Sequence, residues 1–95
     1  MERSENDVKD DIKDYLNKIG AYHFHVMQGK WSKKGVSDRI AVFRGKTFFI
    51  EIKRPGGKQS QDQIDFQEDV ESGGGLYVCA DSVEVLHSYI MEKVA

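Results

Sequence analysis

Two carboxylates and a lysine bracket a pair of apolar runs in the stretch GVSDRIAVFRGKTFFIEIK, Gly35 to Lys53. Asp38 stands at the start of the first run and Glu51-Ile52-Lys53 at the end of the second, with Arg44-Gly45-Lys46 between them as a turn. Side chains two apart on a strand share a face, so Glu51 and Lys53 point one way and Ile52 the other. A hairpin turning at Gly45-Lys46 pairs residue 44 with 47, and therefore 38 with 53 and 40 with 51. In that register Asp38 shares the face of Glu51 and Lys53. Two carboxylates and an ammonium gathered between apolar strands suit a divalent cation beside a phosphate. An ordinary solvated hairpin would also carry a Glu–Lys pair. Here, however, Ile, Val and Phe occur on both parities, which predicts strands covered on both faces, where unpaired charge is costly.

The elements that must position these groups are legible from periodicity and punctuation. Ser4 and Asp7 form a capping-box-like start, followed by Val8, Ile12, Tyr15, Leu16 and Ile19 at helical spacing, with Gly20 as the stop. Ala21 to Gln28 alternates as a strand, with Tyr22, Phe24 and Val26 on one side and His23, His25 and Met27 on the other. Gly29 to Ser37 reads as a basic, turn-rich loop. Asp38 to Arg44 and Thr47 to Arg54 are the hairpin strands, and Pro55-Gly56-Gly57 ends the second. Ser60 with Gln63 opens a helix running to about Ser72, and Gly73-Gly74-Gly75 closes it. Leu76 to Ala80 is a short buried strand, and Asp81 with Glu84 caps a last helix bearing Val83, Leu86, Ile90 and Val94. The order is αβββαβα, an α/β class. It predicts a mixed β-sheet flanked by helices, its last strand parallel to the one before the second helix through a right-handed crossover. Tyr22, Phe24 and Phe49 are expected in the core.

With the motif on a hairpin, the chain resembles the virus-type replication-repair nuclease (VRR-NUC) domain, a branch of the PD-(D/E)xK nuclease superfamily. The matching residues are Ser4-Glu5 opening the first helix, Gly35-Val36-Ser37-Asp38, Glu51-Ile52-Lys53-Arg54-Pro55, and Lys58-x-Ser60-x-x-Gln63, over about two thirds of the chain in the family's order. An E-x-K triplet alone is common, but the four segments in sequence are specific. One departure is that Ser37 stands where the superfamily's namesake proline would be. The resemblance implies a restriction-endonuclease-like core and a metal-dependent endonuclease that hydrolyses phosphodiester bonds in branched DNA. Stand-alone members further imply a homodimer resolving four-way (Holliday) junctions, with two sites related by a two-fold axis.

Within that reading Asp38, Glu51 and the backbone carbonyl of Ile52 would hold Mg²⁺ or Mn²⁺, and Lys53 would position or help deprotonate a water. Glu5 is implied as a further acid, although the helix dipole alone favours an acid in a first turn. Gln63 would hold a water or a phosphate oxygen, alongside its capping role with Ser60. Lys30, Lys33, Lys34, Arg54 and Lys58 are candidate DNA-backbone contacts. Trp31 is a candidate for stacking on an unpaired base, or for contact with a partner subunit or a small satellite core. His23 and His25 lack a third ligand at suitable spacing and read as structural or interfacial, and His87 as surface.

Composition bounds the rest. The 95 residues are expected to form one domain with a single core. The net charge of −2 conceals a segregation, because Gly29–Lys58 holds nine basic residues against Asp38 and Glu51 alone, a local charge of +7. Such a segment suits phosphate, while the acidic remainder limits indiscriminate DNA coating. Cys79 is the only cysteine, so an internal disulfide and cysteine-based zinc sites are excluded by count, and it is expected as a buried thiol. No apolar run is long enough for a membrane span, and MERSENDVKDD is unlike a secretory signal, so a cytoplasmic location is expected. The competing readings are a nuclease fold that binds nucleic acid without cutting it, a flap- or nick-directed nuclease, and a regulatory partner protein.

Overall fold

The computed structural model describes residues 2–95. Its elements are α1 (Glu5–Ile19), β1 (Tyr22–His25), β2 (Arg39–Phe43), β3 (Lys46–Ile52), α2 (Gln61–Ser72), β4 (Leu76–Ala80) and α3 (Val83–Val94), the expected αβββαβα order. The four strands form one open mixed sheet in the order β1-β2-β3-β4, with β1-β2 and β2-β3 antiparallel and β3-β4 parallel.

Local chemistry sets the helix starts. In both α1 and α2 the N-cap serine accepts from the backbone three residues on, and that residue's side chain accepts from the cap amide. The reciprocal pairs are Ser4 with Asp7 and Ser60 with Gln63. The last helix differs from expectation by one residue: Ser82, not Asp81, is its N-cap, and its hydroxyl accepts from the Val85 amide. The strands are also shorter than the alternation predicted, β1 ending at His25 and Asp38 lying just ahead of β2.

The hairpin register is corrected by two residues. Val42 pairs with Thr47 and Phe43 with Lys46, so the two-residue turn is Arg44-Gly45. Both take the left-handed conformation, at φ 49° and 78°, the geometry that matches the twist of a tight hairpin. A two-residue shift preserves facing, so the expected grouping of Asp38 with Glu51 and Lys53 is unaffected.

The pleat divides β3 between two layers. Phe48, Ile50 and Ile52 face a continuous core with Ala41, Val78 and Ala80, closed by Val8, Ile12 and Leu16 of α1 and Leu86 and Ile90 of α3. Burying each large apolar side chain there stabilises the fold by roughly 1.5–3 kcal/mol. Phe49 and Glu51 face the other layer, where Phe66 of α2 packs edge-on against Phe49 and tilted against Tyr77 of β4. This second layer is only partly covered. Tyr22 and Phe24, expected in the core, are 69% and 43% exposed, and Val42, opposite Tyr22, is also exposed. Phe49 is half-buried beneath α2.

Candidate functional site

Glu51 is the least expected residue in the interior. It is 2% exposed, on a central strand, with its Cα partners in β4 being Cys79 and its neighbours in that ladder. One carboxylate oxygen, Oε2, accepts from the Gln63 side-chain amide at 2.9 Å and lies 3.7 Å from the Lys53 ammonium. The other, Oε1, is buried without a hydrogen-bond partner. Lys53 is itself largely buried, its amide donating to the Ala80 carbonyl.

Asp38 reaches the same point from the start of β2. Its Oδ2 accepts from the Ile52 backbone amide at 2.7 Å, and its own carbonyl accepts from the Val26 amide at 2.8 Å, which ties the loop's end to β1. Burial, then the neighbouring Asp38 carboxylate, pushes Glu51 from 4.5 up to about 8, against the opposing pull of Lys53. Negative charge on Glu51 is therefore disfavoured unless a cation stands beside it. Two carboxyl groups brought together in a largely apolar layer form a place where added positive charge is favoured.

Four of the site residues read from the sequence thus converge: Asp38, Glu51, Lys53 and Gln63. Ile52 joins through its amide. Glu5 lies at the rim, half-buried at the start of α1, where Lys9 holds it at 3.2 Å. Lys9 also stands 3.9 Å from Asp38 Oδ1, so it links the helix acid to the strand acid. Sequence reasoning missed Lys9, although its i,i+4 spacing from Glu5 is the available signal. It also missed Ser37, which is fully buried with its Oγ unpartnered directly before Asp38.

Of the candidate DNA contacts, Lys30, Trp31, Lys33, Lys34, Arg54 and Lys58 are all exposed, Trp31 at 90%, and the Lys30 ammonium lies 5.3 Å from the Trp31 ring centroid. Among the described residues none of these cations pairs with a carboxylate. Gly35, within the basic loop, has φ 74°, and a Cβ there would lie 2.0 Å from the Asp62 carbonyl oxygen. The loop is thus seated backbone-to-backbone on the first turn of α2, one residue from Gln63.

His23 has a structural role. Arg39 donates to its Nδ1 at 2.8 Å, so Nε2 carries the proton and donates to the Asn17 side-chain oxygen at 2.6 Å. Burial, then Arg39 and Lys13, hold its pKa below the ordinary histidine value. His87 is exposed and its ring nitrogen meets the Tyr15 hydroxyl at 2.8 Å. Cys79 is half-buried, less than expected, and burial raises its thiol pKa.

Among the described residues no cluster of three or more His, Cys, Asp or Glu side chains is disposed to hold a metal. The oxygen-only pair of Asp38 and Glu51, with one oxygen unpartnered, fits a hard cation that keeps most of its waters, such as Mg²⁺ or Mn²⁺. No described helix is long and apolar enough to cross a membrane. The chain matches no model of a known protein family, and a search of curated proteins found no relative.

Proposed function

We propose that this protein is a metal-dependent endodeoxyribonuclease of the VRR-NUC type that hydrolyses phosphodiester bonds in branched DNA. The observation that carries the reading is the buried Asp38–Glu51 pair with the Lys53 ammonium 3.7 Å from Glu51. A solely structural role would leave Glu51 costly in an apolar layer, since Oε1 has no partner. Asp38, Glu51 and the Ile52 carbonyl would hold Mg²⁺ or Mn²⁺, with Glu5 contributing from the rim. Such an ion, when bound, polarises a phosphodiester oxygen and lowers the pKa of a coordinated water.

The chain's own groups supply the rest. Lys53, shielded from bulk water, places a positive charge where charge develops on the phosphate, and orients or deprotonates the attacking water. Gln63, whose side-chain oxygen accepts from the Ser60 amide while its side-chain nitrogen donates to Glu51, holds that carboxyl in place. The cations of the basic loop and of the segment after β3 contact the DNA backbone, which sets register without reading sequence. A homodimer with two such sites cutting strands symmetrically would resolve a four-way junction, and the cytoplasm is the compartment proposed.

The test is a fluorescent panel of four-way junction, flap, fork, duplex and single strand, incubated with Mg²⁺ or Mn²⁺ and with EDTA, alongside Lys53→Ala. Metal-dependent cutting that favours branched DNA and is lost in the variant supports the proposal. Folded protein that leaves every substrate intact refutes it. Cutting of a flap or nick in preference to the junction refutes the resolvase assignment.

A further inference from the structure

The face of the sheet that carries Asp38 and Glu51 continues, uncovered by α2, across β2 and β1. Tyr22 and Phe24 lie side by side on it, with ring centroids 5.9 Å apart. Val42 and Ile40 are their cross-strand partners, and Val26, next along that side of the chain, is bonded to Asp38. An aromatic and apolar strip therefore runs from an exposed sheet edge directly into the acid pair. We propose that this strip is a stacking platform for unpaired nucleotides of the strand whose phosphate occupies the Asp38–Glu51 site. The proposal rests on the nuclease reading for the location of that phosphate.

Two general arguments and the local charge select single-stranded DNA as the occupant. Side chains two apart on a strand stand about twice as far apart as the ~3.4 Å rise per nucleotide of a duplex strand, so a drawn-out strand lays successive bases on Tyr22 and Phe24. Every base has a π-face, so two rings bind without sequence preference, as a structure-directed enzyme requires. The charge is also complementary. The loop from Val26 to Asp38, whose two ends are joined at this strip, holds Lys30, Lys33 and Lys34 against the single acid Asp38. Two copies meeting through this surface would set those like charges against each other, whereas a phosphate backbone is attracted. A duplex cannot offer its bases to the strip without opening, so the platform favours branch points, where pairing is already broken.

The probe is a fluorescein-labelled oligothymidylate, compared with a blunt duplex by anisotropy in EDTA. Tyr22→Ala/Phe24→Ala should lose about ten-fold or more in affinity for the oligothymidylate and much less for the duplex. Tyr22→Phe/Phe24→Tyr, which keeps both rings, should bind as the wild type does. Affinity unchanged by the alanine pair overturns the platform, and if the wild type still cuts branched DNA the nuclease reading stands without it. Selective loss in the alanine pair, together with a wild type that cuts nothing, upholds the platform and removes the nuclease reading. A dimer that becomes monomeric in the alanine pair by sedimentation shows that a second copy covers the face, and overturns the proposal.

Discussion

Replacing Glu51 by glutamine should make the metal-free protein more stable, by an amount that grows with pH. Glutamine keeps the shape and still accepts from Gln63, and it carries no charge to be buried. In the wild type the carboxyl titrates at about 8 in the fold against 4.5 ordinarily, so the folded state binds the proton more tightly over that interval. Stability is then greatest at the acid end of the window and falls as pH rises towards 8. At ~1.4 kcal/mol per unit the ceiling of the effect is ~5 kcal/mol. Loss of the Lys53 partner and relaxation of the layer reduce it, and we expect a net gain of about 1–3 kcal/mol for Glu51→Gln at pH 8 and almost none at pH 5. For a domain of this size that is a rise in Tm of roughly 5–20 °C at pH 8. Thermal and urea unfolding in EDTA from pH 5 to 9 would measure it. The same melts with Mn²⁺ should stabilise the wild type and leave the variant unmoved. If Glu51→Gln is less stable than the wild type at pH 8, or both share one pH slope, the carboxylate is not held at a cost and the argument for the site fails.

Other consequences can be checked independently. Lys53→Met should reduce cleavage by at least ~100-fold, the scale of losing a group that stabilises developing charge, while leaving binding to branched DNA within a few-fold; equal loss of both would assign Lys53 to binding instead. Gly35→Ala should destabilise by about 2–4 kcal/mol, since φ is 74° and the added carbon meets the Asp62 carbonyl. A urea midpoint within error of the wild type would contradict that contact. His23 holds a lowered pKa, so its contribution is intact above the ordinary value of 6.5 and is lost as pH falls and the ring charges beside Arg39 and Lys13. His23→Gln should flatten that acid limb, and an unchanged limb by circular dichroism would assign it to other groups.

What could be read from the chain was mostly local. Ser4 with Asp7 and Ser60 with Gln63 were recognisable because a capping box is closed within four residues. The grouping of Asp38, Glu51 and Lys53 followed from strand parity alone, which the register error left intact. That error arose at Arg44, which occupies a left-handed conformation that non-glycine residues seldom adopt, so Gly45-Lys46 was the more natural turn. Tyr22 and Phe24 were misplaced because alternation tells which side a residue faces, not whether a helix lies over it. That depends on how far α2 reaches, and its Phe66 packs against Phe49 and Tyr77, with Tyr22 and Phe24 left exposed. Lys9 was missed for a related reason: its spacing from Glu5 pairs it along the helix, but its approach to Asp38 joins distant segments, and the burial of Ser37 likewise depends on what packs around it.

The tight Arg44-Gly45 connection lies at the opposite end of the β2–β3 ladder from the acids. Length added at that tip would extend a solvent-exposed loop and leave the reactive groups where they are. A single residue inserted between Thr47 and Ile50 would instead rotate everything after it by half a pleat, turning Glu51 into the α1–α3 core and bringing Ile52 out in its place. Surviving insertions in such hairpins should therefore collect at the tip, or arrive within the ladder as even-numbered additions, and a library of random insertions scored for folding would display that odd–even rule.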